Sequence, residues 1–370
     1  MHIGTGGNAN WTKRAIAPLA AMLLLCAGCG GGGDNNGPGT PTPVPGTPTR
    51  VPGITLFAGS ASGESGSADG TGAGARFQEP SGLAIDAGGN VYVADTLNHT
   101  IRKISPAGVV STLAGSPGAA GDADGIGTAA RFARPGGLAI DTSGNLFVAD
   151  SNNFRIRKIS PSGLVTTVAT VPIGASGGRS IAVFAPGAVA VDSAGNVYAT
   201  NGLGTRKISP SGALTIVEGV DSVDGLYGSI FFMSRGITVD NTGKVYLVNL
   251  GYAISRLEPT GTLTPIAGTP DVKGAADGTG AAASFSQPIP ALATDSKGNL
   301  YATDTVNQTI RKITPAGVVT TVAGRVDVSA NVAGALPGGL QNPRGVALDR
   351  NDDLYVTSGN AVFKITLPAP

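Results

Sequence analysis

The chain has 370 residues, a formal net charge of +1, 13% charged and 41% hydrophobic residues, 58 glycines and 25 prolines. A chain this close to neutral has no net field to gather nucleic acid or an anionic membrane surface, yet it has ample apolar residues for a core. Many glycines among Val, Ile, Leu and Thr predict an all-β fold of short strands joined by tight turns, and no stretch reads as a useful amphipathic helix.

Lys13-Arg14 precede an apolar run, Ala15 to Leu25, that is too short to span a bilayer. The run ends in Leu24-Leu-Cys-Ala-Gly-Cys29. This resembles the bacterial lipobox, in which a Cys after two small residues is lipidated and becomes the new N-terminus. Cys29 follows Ala27-Gly28 and fits, whereas Cys26 follows the bulky Leu25 and stands where the lipobox usually has Leu. The resemblance implies a signal peptide over 1–28, a lipid on Cys29, a cell-envelope location and membrane contact through the lipid anchor only. Gly30, where an Asp would signal retention, implies outer-membrane sorting in a Gram-negative cell. Cleavage there removes Lys13, Arg14, His2 and the single Trp11, leaving a formal charge of −1, one Cys that carries lipid, and His99 as sole histidine. Residues 29–53 hold almost no large apolar side chain, so they are expected to form a disordered, partly extended tether.

The domain is expected over 54–370. It opens on Ile54-Thr-Leu-Phe-Ala-Gly59, a single strand whose sequence returns as Ser111-Thr-Leu-Ala-Gly115 and Thr320-Thr-Val-Ala-Gly324. From residue 77 the chain repeats around one Asp: Gly82–Asp86, Gly137–Asp141, Ala188–Asp192, Gly236–Asp240, Ala291–Asp295 and Gly345–Asp349, at spacings of 55, 51, 48, 55 and 54 residues. Such a period points to a repeat array of the propeller kind. Each unit reads as four short strands, with Gly-Asn after the first (Gly89-Asn90, Gly144-Asn145, Gly195-Asn196, Gly298-Asn299) and Pro-x-Gly after the third (Pro106, Pro161, Pro210, Pro259, Pro315). Four antiparallel strands make one blade. The sixth unit ends after three strands, so Ile54–Gly59 is expected to complete it and close a six-bladed β-propeller.

The string P-x-GLAID-x-x-GN-x-YVAD-x-x-N-x-x-IRKI resembles the NHL repeat, most closely in units one, two and five. Unit three is shortened around Asn201–Gly204, and unit four has Asn249 where others have Asp95, Asp150 and Asp304. The resemblance implies a β-propeller. Its members bind proteins, bind RNA or catalyse reactions, so fold does not assign function.

Several motifs have a plain structural reading. Gly66-SADGTGAGARF77, Gly121-DADGIGTAARF132 and Gly274-AADGTGAAASF285 place acids like a calcium loop but lack its further ligands. Their Asp-Gly pairs read as turns, and Phe77, Phe132 and Phe285 as plugs between blades. Gly174-Ala-Ser-Gly-Gly178 matches a nucleophile elbow without the helix or the histidine base it needs, and Gly70-Thr-Gly-Ala-Gly74 lacks the context of a dinucleotide loop. His99 sits where units two and five have Phe154 and Gln308, and one histidine does not build a catalytic zinc site. The pairs Arg102-Lys103, Arg157-Lys158, Arg206-Lys207 and Arg311-Lys312 are better matched to ion pairs with Asp95, Asp150 and Asp304 than to phosphates.

The lead-in to each innermost strand is the place to seek a ligand site. There the copies show Glu79, Arg134, Ala185, Met233, Pro288 and Asn342, with Arg235 and Arg344 close by. Only Glu79 and Asn342 suit a cation, and Arg134 opposes one; the mixed rim suits an anion or a polar small ligand. Glu79, Arg134, Arg235, Asn342 and Arg344 are therefore the candidate ligand-binding residues. No catalytic residue, metal or other cofactor is expected. The functional expectation is a monomeric, non-enzymatic scaffold for an envelope protein or polysaccharide, without nucleic acid; the alternative is a lactonase-like hydrolase or lyase working in the channel.

Overall fold

A computed structural model describes residues 50–170, 175–176, 179–180, 185–201, 204–219, 236–249 and 252–368. Cys29, the signal segment, the tether up to residue 49, Met233 and Arg235 lie outside them. Over the described residues the fold is all-β, a six-bladed propeller of radial antiparallel sheets. Its innermost strands are Pro80–Ile85, Pro135–Ile140, Ala188–Val191, Ile237–Val239, Leu292–Thr294 and Val346–Leu348. Each leads through a two-strand meander to an outer strand: Val109–Gly115, Leu164–Thr170, Leu214–Gly219, Leu263–Ala267 and Val318–Gly324 in blades one to five.

The repeat grammar is visible in the bonds. The Asp that ends the first strand folds the next turn onto itself: the Asp86 carboxylate accepts from the Gly88 and Asn90 backbone N–H groups at 2.9 and 2.8 Å, from the Asn90 amide at 2.7 Å and from the Tyr92 hydroxyl at 3.0 Å. The same arrangement recurs at Asp295, with Asn299 and Tyr301. Between blades the cores are shared. Ala84, Ala94 and Ile101 of blade one pack with Phe132, Leu138 and Val148 from the blade-two unit. Phe77, Phe132 and Phe285 are each 0% exposed, so they do plug the boundaries.

Two expectations need correction. Blades one, two and five have five strands rather than four, because Gly70–Thr71, Gly125–Ile126 and Gly278–Thr279 pair with the outer strands at Val109–Val110, Leu164–Val165 and Val318–Val319. These dipeptides come from the Asp-Gly motifs, which are therefore edge strands and not simple turns. The added pair covers an open sheet edge, a site of unwanted pairing.

The strand Gly53–Ser60 pairs antiparallel with Asn360–Thr366, in one sheet with Leu354–Ser358 and Val346–Leu348. It reproduces the outer strands in detail. Phe57 is skipped by the register as Leu113, Val168 and Val322 are in theirs, a bulge at the same place. Gly59 has φ +95°, as Gly115 has +88°, and a Cβ there would lie 2.6 Å from the Asn360 carbonyl oxygen and 2.9 Å from the Phe77 ring. Only glycine suits this position. The far edge is covered too: Ile54 and Gly334 exchange N–H···O bonds of 2.8 Å in both directions.

Candidate functional site: the propeller mouth

Three lead-ins share one unusual local structure. Glu79, Arg134 and Asn342 each precede a proline and hold φ of 49°, 50° and 47°. A left-handed conformation is strained for a side chain with a Cβ, and more so before proline. In each case a side chain from the preceding blade holds the backbone there. The Asn360 amide oxygen accepts from Glu79 N–H at 3.0 Å, His99 Nδ1 from Arg134 N–H at 3.1 Å, and Gln308 Oε1 from Asn342 N–H at 2.6 Å. His99 thus serves as an acceptor. Burial, and secondarily the Arg134 charge, lower its pKa and so favour the neutral ring that this bond requires.

A second set of bonds ties the lead-ins of blades two, three and six to the blade before each. Thr96, Ser151 and Thr305 donate their hydroxyls to the Pro135, Pro186 and Pro343 carbonyls at 2.9, 2.7 and 2.6 Å. Each spans one blade boundary, so three candidate nucleophiles are engaged as staples. Sequence reasoning missed them; the available signal was a hydroxyl directly after Asp95, Asp150 and Asp304.

Together the lead-ins border a mouth of about 570 Å³. Arg134, Asn152, Asn342 and Arg344 line it, and Ala185, Pro186, Pro288, Pro290 and Val306 supply an apolar wall. By ring order the polar group belongs to blades six and two and the wall largely to blades three and five. Glu79 is not in the lining; its carboxylate pairs with Arg344 Nη1 at 3.0 Å, and both side chains are partly exposed. Asn342 Oδ1 accepts from Gln308 Nε2 at 3.2 Å. Among the described residues no carboxylate pairs with the exposed Arg134. The structure thus brings Arg134, Asn342 and Arg344 to one cavity with Glu79 behind them. Below it the channel narrows to a throat of about 60 Å³ lined by Gly82, Gly137, Gly187 and Ile237. The inner strands crowd here: a Cβ at Gly345 would overlap the Ser81 carbonyl oxygen. Gly345→Ala is expected to cost about 1–3 kcal/mol of stability by forcing blades six and one apart, measurable by denaturant unfolding.

The arginines of three of the basic pairs on the third strands are not open to a partner. Arg102, Arg157 and Arg311 are 0% exposed. Each guanidinium joins a buried Asp to a motif Asp: Arg157 meets Asp150 at 2.8 Å and Asp124 at 2.7 Å, Arg102 meets Asp95 and Asp69 at 2.7 and 2.6 Å, and Arg311 meets Asp304 and Asp277 at 3.0 and 2.8 Å. The three stack over Phe77, Phe132 and Phe285 at 5.2, 5.2 and 5.0 Å. Burial raises the pKa of Asp95, Asp150 and Asp304, against the amide, backbone and guanidinium bonds that favour the charge. The expected ion pairs with Asp95, Asp150 and Asp304 are present, and the motif aspartates add a partner that the turn reading did not foresee. Among the described residues no group of three or more His, Cys, Asp or Glu is placed to hold a metal ion.

Comparison with known proteins fits this geometry. The NHL-repeat family model matches residues 77–104 and 132–159, so the chain carries NHL repeats on a propeller. Among curated relatives, Protein SUPPRESSOR OF QUENCHING 1, chloroplastic, of Arabidopsis thaliana is 45% identical over 95 residues, which cover 25% of this chain and 9% of that protein. NHL repeat-containing protein 2 of Bos taurus is 38% identical over 111 residues, covering 29% and 15%. The chain therefore spans only a small part of these relatives. Among solved structures, a Bacteroides thetaiotaomicron protein of unknown function superposes with a TM-score of 0.69 at 20% identity, covering 86% of this chain and 76% of the other. An auxiliary nutrient binding protein from Bacteroides ovatus gives 0.64 at 18%, covering 87% and 78%. A Xanthomonas campestris gluconolactonase gives 0.54 at 13%, covering 79% and 87%. At these identities the structural matches show the fold alone.

Proposed function

We propose that the chain is an exported, lipid-anchored, monomeric binding scaffold that takes an envelope protein or polysaccharide at the propeller mouth, in a ring closed by its own N-terminal strand. The observation that carries this reading is the mouth: the Arg134 guanidinium and the Asn152 amide stand open beside an apolar wall, next to the paired Arg344 and Asn342, while the nearby hydroxyls are engaged in blade-to-blade bonds. Such convergence of a few polar groups on an apolar cavity is how ligand sites are built. The nutrient-binding neighbours agree with it. The hydrolase or lyase reading, to which the gluconolactonase and streptogramin B lyase neighbours point, is less well served. Glu79 is held by Arg344 and Asn342 by Gln308, so the two candidate cation ligands already have partners.

The test is equilibrium binding of the full chain to fractionated envelope proteins and polysaccharides, compared with an Asn152→Ala/Arg344→Ala variant. A specific partner lost in the variant is the expected result. Partners bound equally by both chains would place the interaction on another surface and overturn the reading. For the anchor, growth with a labelled fatty-acid precursor should label the wild-type chain and not Cys29→Ser; persistent label in that variant would refute lipidation at Cys29.

A further inference from the structure

We infer that the mouth selects an acidic glycan, with a carboxylate or sulfate ester seated on Arg134 and Arg344 and the sugar ring laid against the proline wall. This rests on the binding reading above and specifies its ligand class. Four observations carry it. Among the described residues the cavity is lined by two arginines and two amides, with no carboxylate in its lining. Glu79 offsets one guanidinium from behind at 3.0 Å, whereas Arg134 meets no carboxylate among the described residues. Among the described residues Arg134 is therefore a cation without a carboxylate partner at the opening, and its fixed fork of donors matches a planar carboxylate or a sulfate.

The placement of Arg134 is imposed. Its backbone is held at φ 50° by the bond to His99 Nδ1, and Pro135 next in sequence accepts the Thr96 hydroxyl. A lead-in tied on both sides presents its side chain at the rim with little backbone entropy left to lose on binding. The other wall is chemically different. Pro186, Pro288, Pro290 and Val306 give rigid apolar contact but no charge. A pyranose bearing an acidic substituent is two-sided in the same way, with apolar C–H faces and a charged edge. An acidic peptide offers the charge without a rigid face for the prolines.

The experiment uses the full chain and four ligands of matched length: a uronate oligosaccharide, the same oligosaccharide with its carboxyls reduced to alcohols, a sulfated neutral oligosaccharide, and poly-aspartate. Binding is measured by calorimetry at two salt concentrations. The uronate or the sulfated chain should bind, and the carboxyl-reduced chain should bind about tenfold or more weakly, as expected for loss of a charge-assisted contact. Whichever anion binds identifies the source of the charge. Arg134→Gln, checked to unfold at the wild-type temperature, should abolish the preference for the acidic over the reduced chain. Equal binding of acidic and reduced chains would overturn the acidic selectivity and leave the binding reading standing. Poly-aspartate binding as well as the glycans would also overturn it. Failure of every glycan would remove the glycan reading, and with it the polysaccharide half of the proposed function.

Discussion

Deletion of residues 54–59 is expected to lower stability by on the order of 5 kcal/mol, because several apolar side chains leave the core at roughly 1.5–3 kcal/mol for each one fully buried. Ile54 and Ala58 are 0% exposed, and Leu56 and Phe57 pack against the cores on either side. The Phe57 ring meets Tyr355 edge-on at 5.0 Å. The deletion also strips the ladder from Asn360–Thr366 and the two bonds from Gly334, leaving unpaired backbone on both. Deleting 32–48 should leave the unfolding midpoint unchanged. Moving residues 50–60 behind Pro370 on a flexible linker should restore most of what the first deletion removes. Thermal unfolding of the three variants checks the set, and equal behaviour of the two deletions would refute closure by this strand.

The second large effect is expected at Arg157. Its guanidinium is the counter-ion of Asp150, and both are wholly buried. Replacing Arg157 by Met removes the charge and leaves Asp150 with only the Asn153 amide and the Ala133 N–H as partners. Breaking one side of a buried pair costs about 3–5 kcal/mol, whereas replacing both sides costs far less. The double variant Arg157→Met/Asp150→Asn should therefore recover much of the loss. Asp124 tells the other half. It is half exposed, and its hydrogen bonds from Thr167 and Arg157 hold its carboxyl below the usual range despite some burial. Asp124→Asn should cost only about 1 kcal/mol, within the range for one partly solvated hydrogen bond. Denaturant unfolding of the four chains separates the cases; an Arg157→Met variant no weaker than Asp124→Asn would show that the buried pair is dispensable.

Much of this was legible in the sequence. The six inner strands follow from the repeated Asp, whose carboxylate organises the following turn. The Asp–Arg pairs follow from their fixed offset on adjacent strands. The pairing of Ile54–Gly59 follows from its match to Thr-Leu-Ala-Gly, down to the bulge and the left-handed glycine. What escaped had no local signature. A Gly-Thr dipeptide such as Gly70–Thr71 is too short to show a period, and it becomes a strand only because Val109 and Val110 lie alongside. The conformations of Glu79, Arg134 and Asn342 run against what the sequence prefers before proline, and bonds from the preceding blade impose them. For the same reason the lead-ins could be singled out by position, while the pairing of Arg344 with Glu79 could not.

Among the described residues the cavity below the mouth is small. At about 60 Å³ it holds a water molecule or two, far less than a sugar ring, so a guest seated at the mouth has no room to advance into it. A long chain must dock by a terminus or lie across the rim, and a bound guest must retreat along its arrival path. Its dwell time is then governed by one rim, so substitutions among Arg134, Asn342 and Arg344 should change association and release together.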